Sequence, residues 1–472
     1  MSEQIIPYIK VVAAFIVSFW LVRLTIKIAP RFYTIRFVTG YYTFQFAAIF
    51  AFLLVLPDAK IWNRDFPNLL LRDYLDETIF GYLVFQIGVL VAVLIGAIPF
   101  KKLHKAPSLT DRIKENAKYI VPPLVVGAAI TLLYPILSFR PGIGYAAHIL
   151  FNFTRFIPFA AGVLFFHNNR LRAMWLIALA VLFTLGILTG GRSTAIESGF
   201  IFFVGFYFAL TSARAKRLTL IAAVVISIPA MSFLAFVGMF RHMVGRVDFS
   251  KINWERAVSV YQKYEKVKDS KTLDLNSSEA QLQGWGRFVN FVNVVQFATI
   301  PSKREHLGFE GFFTVDLPYA FDISFISGTT VEDRLRAKAA NFRLNDYGFL
   351  VTLGSSVEYS IVTDAYIRFG FLGVFVFAIV FALFCQVMEL AIYLVSRRNS
   401  AVYVFATLMV CLQAFLGYVY NIFAVCRSMI LALAAAYAIV TLVKIVQAIV
   451  KTQRKSSQRL GQAAASNNIA NG

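Results

Sequence analysis

Four arginines stand at the edges of long apolar runs. Arg192 lies in "LTGGRSTAI" (188–196), Arg241 in "GMFRHMVGR" (238–246), Arg368 in "DAYIRFGFLG" (364–373) and Arg427 in "FAVCRSM" (423–429). A guanidinium placed in hydrocarbon costs at least about 2.5–3.5 kcal/mol, so such residues persist when they have a partner or a task. The planar fork of arginine donates two parallel hydrogen bonds and suits a phosphate or a carboxylate. At Arg192 the neighbours add to this. Gly190 and Gly191 supply a turn, and Ser193 or Thr194 can cap a following helix whose free N–H groups favour an anion. The alternative is an ordinary turn in which Arg192 pairs with Glu197 or with lipid phosphates. For Arg241, with His242 and Arg246 beside it, the alternative is a basic belt at headgroup depth.

Carboxylates are fewer. Glu197, Glu358 and Asp364 fall near the same boundary as the arginines. Each reads either as a salt-bridge partner of a neighbouring arginine or as a general base that takes a proton from an attacking hydroxyl. His242 and His306 are alternative bases. Five histidines are scattered along the chain, and there is no Walker A sequence, H-E-x-x-H, CxxC or G-x-S-x-G. A dense metal site, nucleotide-driven transport and α/β-hydrolase chemistry are therefore disfavoured.

The elements that carry these residues are membrane helices. The chain has 472 residues, of which 58% are hydrophobic, and a mean hydropathy of +0.67. It carries 15% charged residues, where a soluble chain carries about 25%. Apolar runs of membrane-crossing length recur without alternation, which predicts an all-α polytopic membrane protein rather than a barrel. Spans are expected near 5–28, 35–56, 79–98, 119–137, 145–166, 173–189, 193–212, 218–239, 365–395, 400–421 and 427–450. The three cysteines (Cys385, Cys411, Cys426) all lie in apolar segments, so no disulfide framework is implied. No cleavable signal peptide is expected at the first segment.

Net charge is +21, and its distribution follows membrane topology rather than nucleic-acid binding. The connectors at 101–118, 168–172, 212–217 and 396–400 and the tail from Lys451 are rich in lysine and arginine and read as cytoplasmic. Those at 57–68, 138–144, 189–193 and 420–425 are poor or balanced and read as outside. The four arginines then share the outer face. A basic cavity for a multiply charged anion, such as a pyrophosphate at headgroup depth, is the economical reading. Residues 1–239 form the first eight spans and 240–355 a large outer loop. Residues 356–450 form three closing spans and 451–472 a disordered cytoplasmic tail. In the loop, helices are expected at 253–269 and 284–300, and an irregular segment at 301–322 punctuated by Gly and Pro.

This layout, with "LTGGRSTAI", "FRHMVG" (240–245), "GSSVEYSIVTDAYIRFGFLGVFV" (354–376) and "AVCRSM" (424–429), resembles the Wzy-type O-antigen polymerases. The O-antigen ligases share a similar layout and reaction. The resemblance implies a GT-C-like fold and a glycosyltransferase of the bacterial inner membrane with its active site facing the periplasm. It implies transfer of a glycan from one undecaprenyl pyrophosphate to the non-reducing end of a second lipid-linked repeat unit. Arg192, Arg241 and Arg427 match the family's arginines, and Arg368 is a fourth candidate for the pyrophosphate. Glu197, Glu358, Asp364 and His242 are the candidate catalytic residues. The loop residues Trp285, Arg287 and Tyr319, with Phe309, Phe312 and Phe313, are candidates to contact sugars, or else they pack the loop's own core. No cofactor or metal is implied. The implied partners are undecaprenyl-pyrophosphate-linked glycans, membrane lipids and a chain-length regulator protein, with no nucleic acid. A ligase that moves finished glycan and a lipid-linked glycan flippase or transporter are the alternatives. A flippase would line its spans with polar residues at all depths, whereas the ionisable residues here crowd the outer boundary.

Overall fold

The computed structural model describes residues 2–55, 75–100, 108–117, 157–165, 172–177, 192–222, 360–396, 400–415 and 425–434, with shorter pieces that include 60–61, 69–70, 306–309, 312–313 and 422–423. The elements are α1 (Ser2–Ile28), α2 (Tyr33–Val55), β1 (Lys60–Ile61), β2 (Leu69–Leu70), α3 (Leu75–Gly96), α4 (Leu109–Glu115), α5 (Ile157–Val163), α6 (Arg192–Ala209), α7 (Ile361–Ser396), α8 (Ser400–Phe415) and α9 (Val425–Ala434). The two strands form one short antiparallel ladder, with Lys60 opposite Leu70 and Ile61 opposite Leu69. Otherwise the described elements are helical. Four of them (α1, α2, α3 and α7) are long and apolar enough to cross a membrane. The expected spans at 119–137 and 218–239 lie almost wholly outside the described residues, as do the expected loop helices at 253–269 and 284–300.

Each spanning helix presents two faces. On α7, Leu372, Val376, Val380, Val387 and Leu394 are exposed, while Val374, Ala378, Phe381, Cys385 and Ile392 are buried. Steps of three, four and seven keep each set on one side of a 3.6-residue helix. Here the exposed face is apolar as well as the buried one, as expected where hydrocarbon replaces water. On α3, Phe80, Ile87 and Leu94 repeat the exposed spacing.

Apolar faces gain no hydrophobic drive toward one another inside lipid, so packing and polar cross-links must hold the helices. The core of the bundle is α3 against α7, with α1 and α2 alongside. Gln386 Nε2 of α7 donates to the Ala92 carbonyl of α3 at 3.1 Å. Gln86 of α3 donates to Thr39 O and Thr43 Oγ1 of α2, both at 3.2 Å. Thr43 in turn meets Ser18 of α1 at 2.7 Å. Tilted ring contacts add to these cross-links, with Tyr42 of α2 4.8 Å from Phe85 and 5.1 Å from Tyr82 of α3. α6 packs on α5, and Phe208 near its end meets Phe37 of α2.

One end of this core is sealed by a buried carboxylate. Glu389 of α7 is 5% exposed and accepts from the backbone N–H of Tyr33 at 3.2 Å and of Thr34 at 2.6 Å. These are the first residues of α2, whose opening N–H groups have no partner within their own helix. The Tyr33 hydroxyl accepts from Leu109 N–H at 2.9 Å and brings the start of α4 to the same place.

Candidate functional site

The opposite end of α7 carries a break. Ser360 caps the helix, its hydroxyl accepting from Thr363 N–H at 3.2 Å. One turn on, Asp364 accepts from Arg368 Nε at 3.1 Å, an i,i+4 pair whose side chains are 8% and 5% exposed. Two residues later Gly370 takes φ 64° and ψ −155°, a region that only glycine enters without strain, and the helix bends there.

A short piece of the long loop docks on this break. Leu307 N–H donates to Ile367 O at 3.2 Å, and Gly308 N–H donates to Arg368 O at 2.8 Å. In return, Arg368 Nη1 donates to Gly308 O at 3.2 Å. Gly308 is itself at φ 55°; it and Gly370 are the positive-φ residues among those described. The joint is thus made by one left-handed glycine on each side. His306 packs its ring edge against Tyr366, and its Nδ1 lies 3.4 Å from Ile367 O. An added Cβ on Gly370 would sit 3.0 Å from His306 Nε2.

Aromatic rings complete the contact. Phe312 is buried under the Arg368 guanidinium, 5.0 Å from its carbon, and also meets Phe377 and Phe423. Phe309 and Phe313 stack on each other with centroids 5.8 Å apart, and both remain more than half exposed. A salt bridge was one of two readings of Asp364, and the structure holds that bridge to Arg368. Of the loop aromatics, Phe312 packs the joint, whereas Phe313 and Phe309, whose ring also meets Phe369 at 4.8 Å, stay largely exposed.

Arg427 stands differently. It lies in α9, four residues after Phe423, whose ring is 4.5 Å from Phe312. It is half-buried, and its Nε is shielded from solvent with no hydrogen-bond partner. A buried donor left unsatisfied costs about 1–3 kcal/mol and calls for an acceptor. Arg427 therefore has one donor to offer, its Nε, while Arg368 is already held.

Arg192 is the first residue of α6, as its Gly-Gly-Arg-Ser setting predicts, and Glu197 lies five positions into that helix. Phe208 is packed at the Glu389 end, so Arg192 lies about 24 Å along the helix from there. Arg241, His242, Trp285, Arg287, Tyr319 and Glu358 lie outside the described residues.

Two further carboxylates, Glu389 and Glu77, have buried oxygens in the bundle without a strong local signal in the sequence. Glu389 could have been found as a lone acid deep in an apolar run. Glu77, in the first turn of α3, looks like a routine acid at a helix start. Yet its Oε2 is buried with no hydrogen bond. Comparison of the chain with protein-family models, with curated proteins and with solved structures finds no match.

Proposed function

We propose that this chain is a membrane glycosyltransferase that polymerises undecaprenyl-pyrophosphate-linked repeat units into a surface polysaccharide, working at the periplasmic face of the inner membrane. The reading rests on the resemblance in layout and arginine motifs. The structural observation that supports it best is the buried Nε of Arg427, which lacks a hydrogen-bond partner and lies four residues after Phe423, the ring that meets Phe312 of the loop.

In the proposed reaction an acceptor sugar hydroxyl attacks the anomeric carbon of the donor glycan. The bond from that carbon to the pyrophosphate oxygen breaks, and the electron pair leaves with undecaprenyl pyrophosphate. Negative charge grows on the leaving group as this happens. A preorganised cation in a site of low dielectric stabilises that charge, and removing one such donor typically costs about 10²–10³ in rate. Arg427 takes this part, with Arg192 and Arg241 as its partners. The hydroxyl proton passes to a base drawn from Glu197, Glu358 and His242. Asp364 and Arg368 serve instead to hold the loop on α7. The exposed rings of Phe309 and Phe313 give the sugars a surface to stack on.

The test is Arg427→Ala and Arg427→Lys in the full chain, with polymer length followed on a gel and membrane insertion checked by protein level. Loss of long chains with single repeat units still reaching the final acceptor is the expected result, and Arg427→Lys restores part of the length. Normal polymer length in a well-inserted Arg427→Ala variant overturns the reading. Glycan stranded on the lipid carrier would identify a ligase instead.

A further inference from the structure

A groove of about 580 Å³ runs between α1 and α3, and its residues take no part in the proposed reaction. Its wall is apolar, formed by Ala14, Phe80, Leu83 and Phe371 among others, and its charged residues are Lys10, Asp76 and Glu77. Phe371 directly follows the break at Gly370 and meets Phe80 edge-on at 4.7 Å. Both helices that frame the groove are membrane-crossing by length and composition, and their apolar side chains beside it, Val17 and Phe80, are about half exposed. What enters such a groove comes from the lipid.

The charges decide which lipid. Lys10 Nζ is held by both oxygens of Asp76, at 2.9 and 2.6 Å, so these two neutralise each other. Glu77 is left over. Its Oε2 is shielded from solvent and accepts no hydrogen bond, and a carboxylate oxygen left that way costs free energy. From Glu77 to Leu83 the groove extends about 9 Å along α3, enough for the upper part of an acyl chain.

We infer that this groove is a binding site for a phospholipid with a primary ammonium headgroup. The ammonium donates to Glu77, and one acyl chain lies over Ala14 and between Phe80 and Phe371. Three N–H donors on a compact cation match an unsatisfied carboxylate. A pyrophosphate carrier does not match it, because Glu77 would repel its anion. The assignment is therefore independent of the reaction proposed above.

The test uses native mass spectrometry of the full-length protein in detergent, titrated with phosphatidylethanolamine, phosphatidylcholine or phosphatidylglycerol of identical acyl chains. Ethanolamine lipid is expected to bind about tenfold tighter than either other lipid, the equivalent of about 1.4 kcal/mol. Choline lipid keeps the charge but has no N–H to donate, so the comparison needs no variant. Glu77→Gln is expected to erase the preference, and Ala14→Phe to weaken all three lipids alike by filling the groove. Equal binding of ethanolamine and choline lipids to the unaltered protein overturns the assignment. So does a preference for the glycerol lipid, or a preference that survives in Glu77→Gln.

Discussion

The two ends of α7 each bury a charged side chain, and each satisfies it by a different route. At one end Glu389 accepts from the first two N–H groups of α2, so one span is riveted to the start of another. At the other, Arg368 is held within its own helix by Asp364 and outside it by the backbone of Gly308, far along the loop. The first arrangement joins two regular helices and leaves each intact. The second joins an irregular segment to a helix that has been broken to receive it. One end is therefore a brace of the bundle. The other is the place where the loop is registered against the bundle, and Arg427, four residues after Phe423 in the same aromatic contact, keeps an unpartnered Nε.

If that contrast is right, damage at the brace should unfold the bundle and damage at the joint should free the loop. The largest effect is expected from Glu389→Ala. It leaves the N–H groups of Tyr33 and Thr34 without their acceptor in a place where both residues are buried. Two orphaned donors together cost on the order of 2–4 kcal/mol. Thermal unfolding in detergent should show a clear loss of stability, with Glu389→Gln intermediate, because its one carbonyl oxygen can still accept from one N–H while its NH2 cannot accept from the other. A Glu389→Ala variant as stable as the parent would show that the carboxylate braces nothing.

Gly370→Ala comes next. Alanine at φ 64° and ψ −155° is strained by about 1–3 kcal/mol. The His306 ring can give way to the new Cβ more easily than the backbone can relax. The strain is local, so the melting temperature should fall less than for Glu389→Ala while the joint opens. Limited proteolysis should cut the loop between residues 240 and 355 faster than in the parent. Gly308→Ala attacks the partner glycine and should behave alike. Loss of bundle stability without faster loop cleavage would reverse the roles assigned to the two ends.

The sequence showed these two ends unequally. Asp364 and Arg368 are four apart, the spacing of neighbours on one helix face, so that part of the joint could be read from spacing alone. The start of α6 at Arg192 was equally legible, because two glycines, a cation and hydroxyl residues form a local signal. What spacing could not give was the docking of residues 306–308, since nothing in either segment names the other. Glu389 was hidden for a related reason: its partners are backbone groups of Tyr33 and Thr34, more than 350 positions away, and backbone donors leave no mark in a sequence. Glu77 was disguised by its position, as an acid in a first helical turn needs no further explanation until its surroundings are seen. The expected outer cluster is legible as a shared boundary. Of its members the structure joins Asp364 and Arg368 to each other, and it places Arg427 in α9 and Arg192 and Glu197 in α6.

The smallest effect on stability is expected at the third charged contact, Lys10 with Asp76. Its side chains are 46% and 62% exposed, against 5% and 8% for Arg368 and Asp364. An exposed pair of this kind contributes about 0.2–1 kcal/mol, so Lys10→Met should barely move the unfolding transition. Its consequence lies elsewhere. Removing the ammonium releases Asp76 from its partner and adds a second uncompensated carboxylate beside Glu77 at the mouth of the groove. The preference for ethanolamine over glycerol headgroups should then grow rather than shrink. A buried pair and an exposed pair at the same end would thus separate cleanly, one setting where the loop sits and the other setting which lipid lies beside it. A Lys10→Met variant with lower ethanolamine preference would mean that Lys10 itself holds the lipid phosphate, and the groove would have to be assigned by that contact instead.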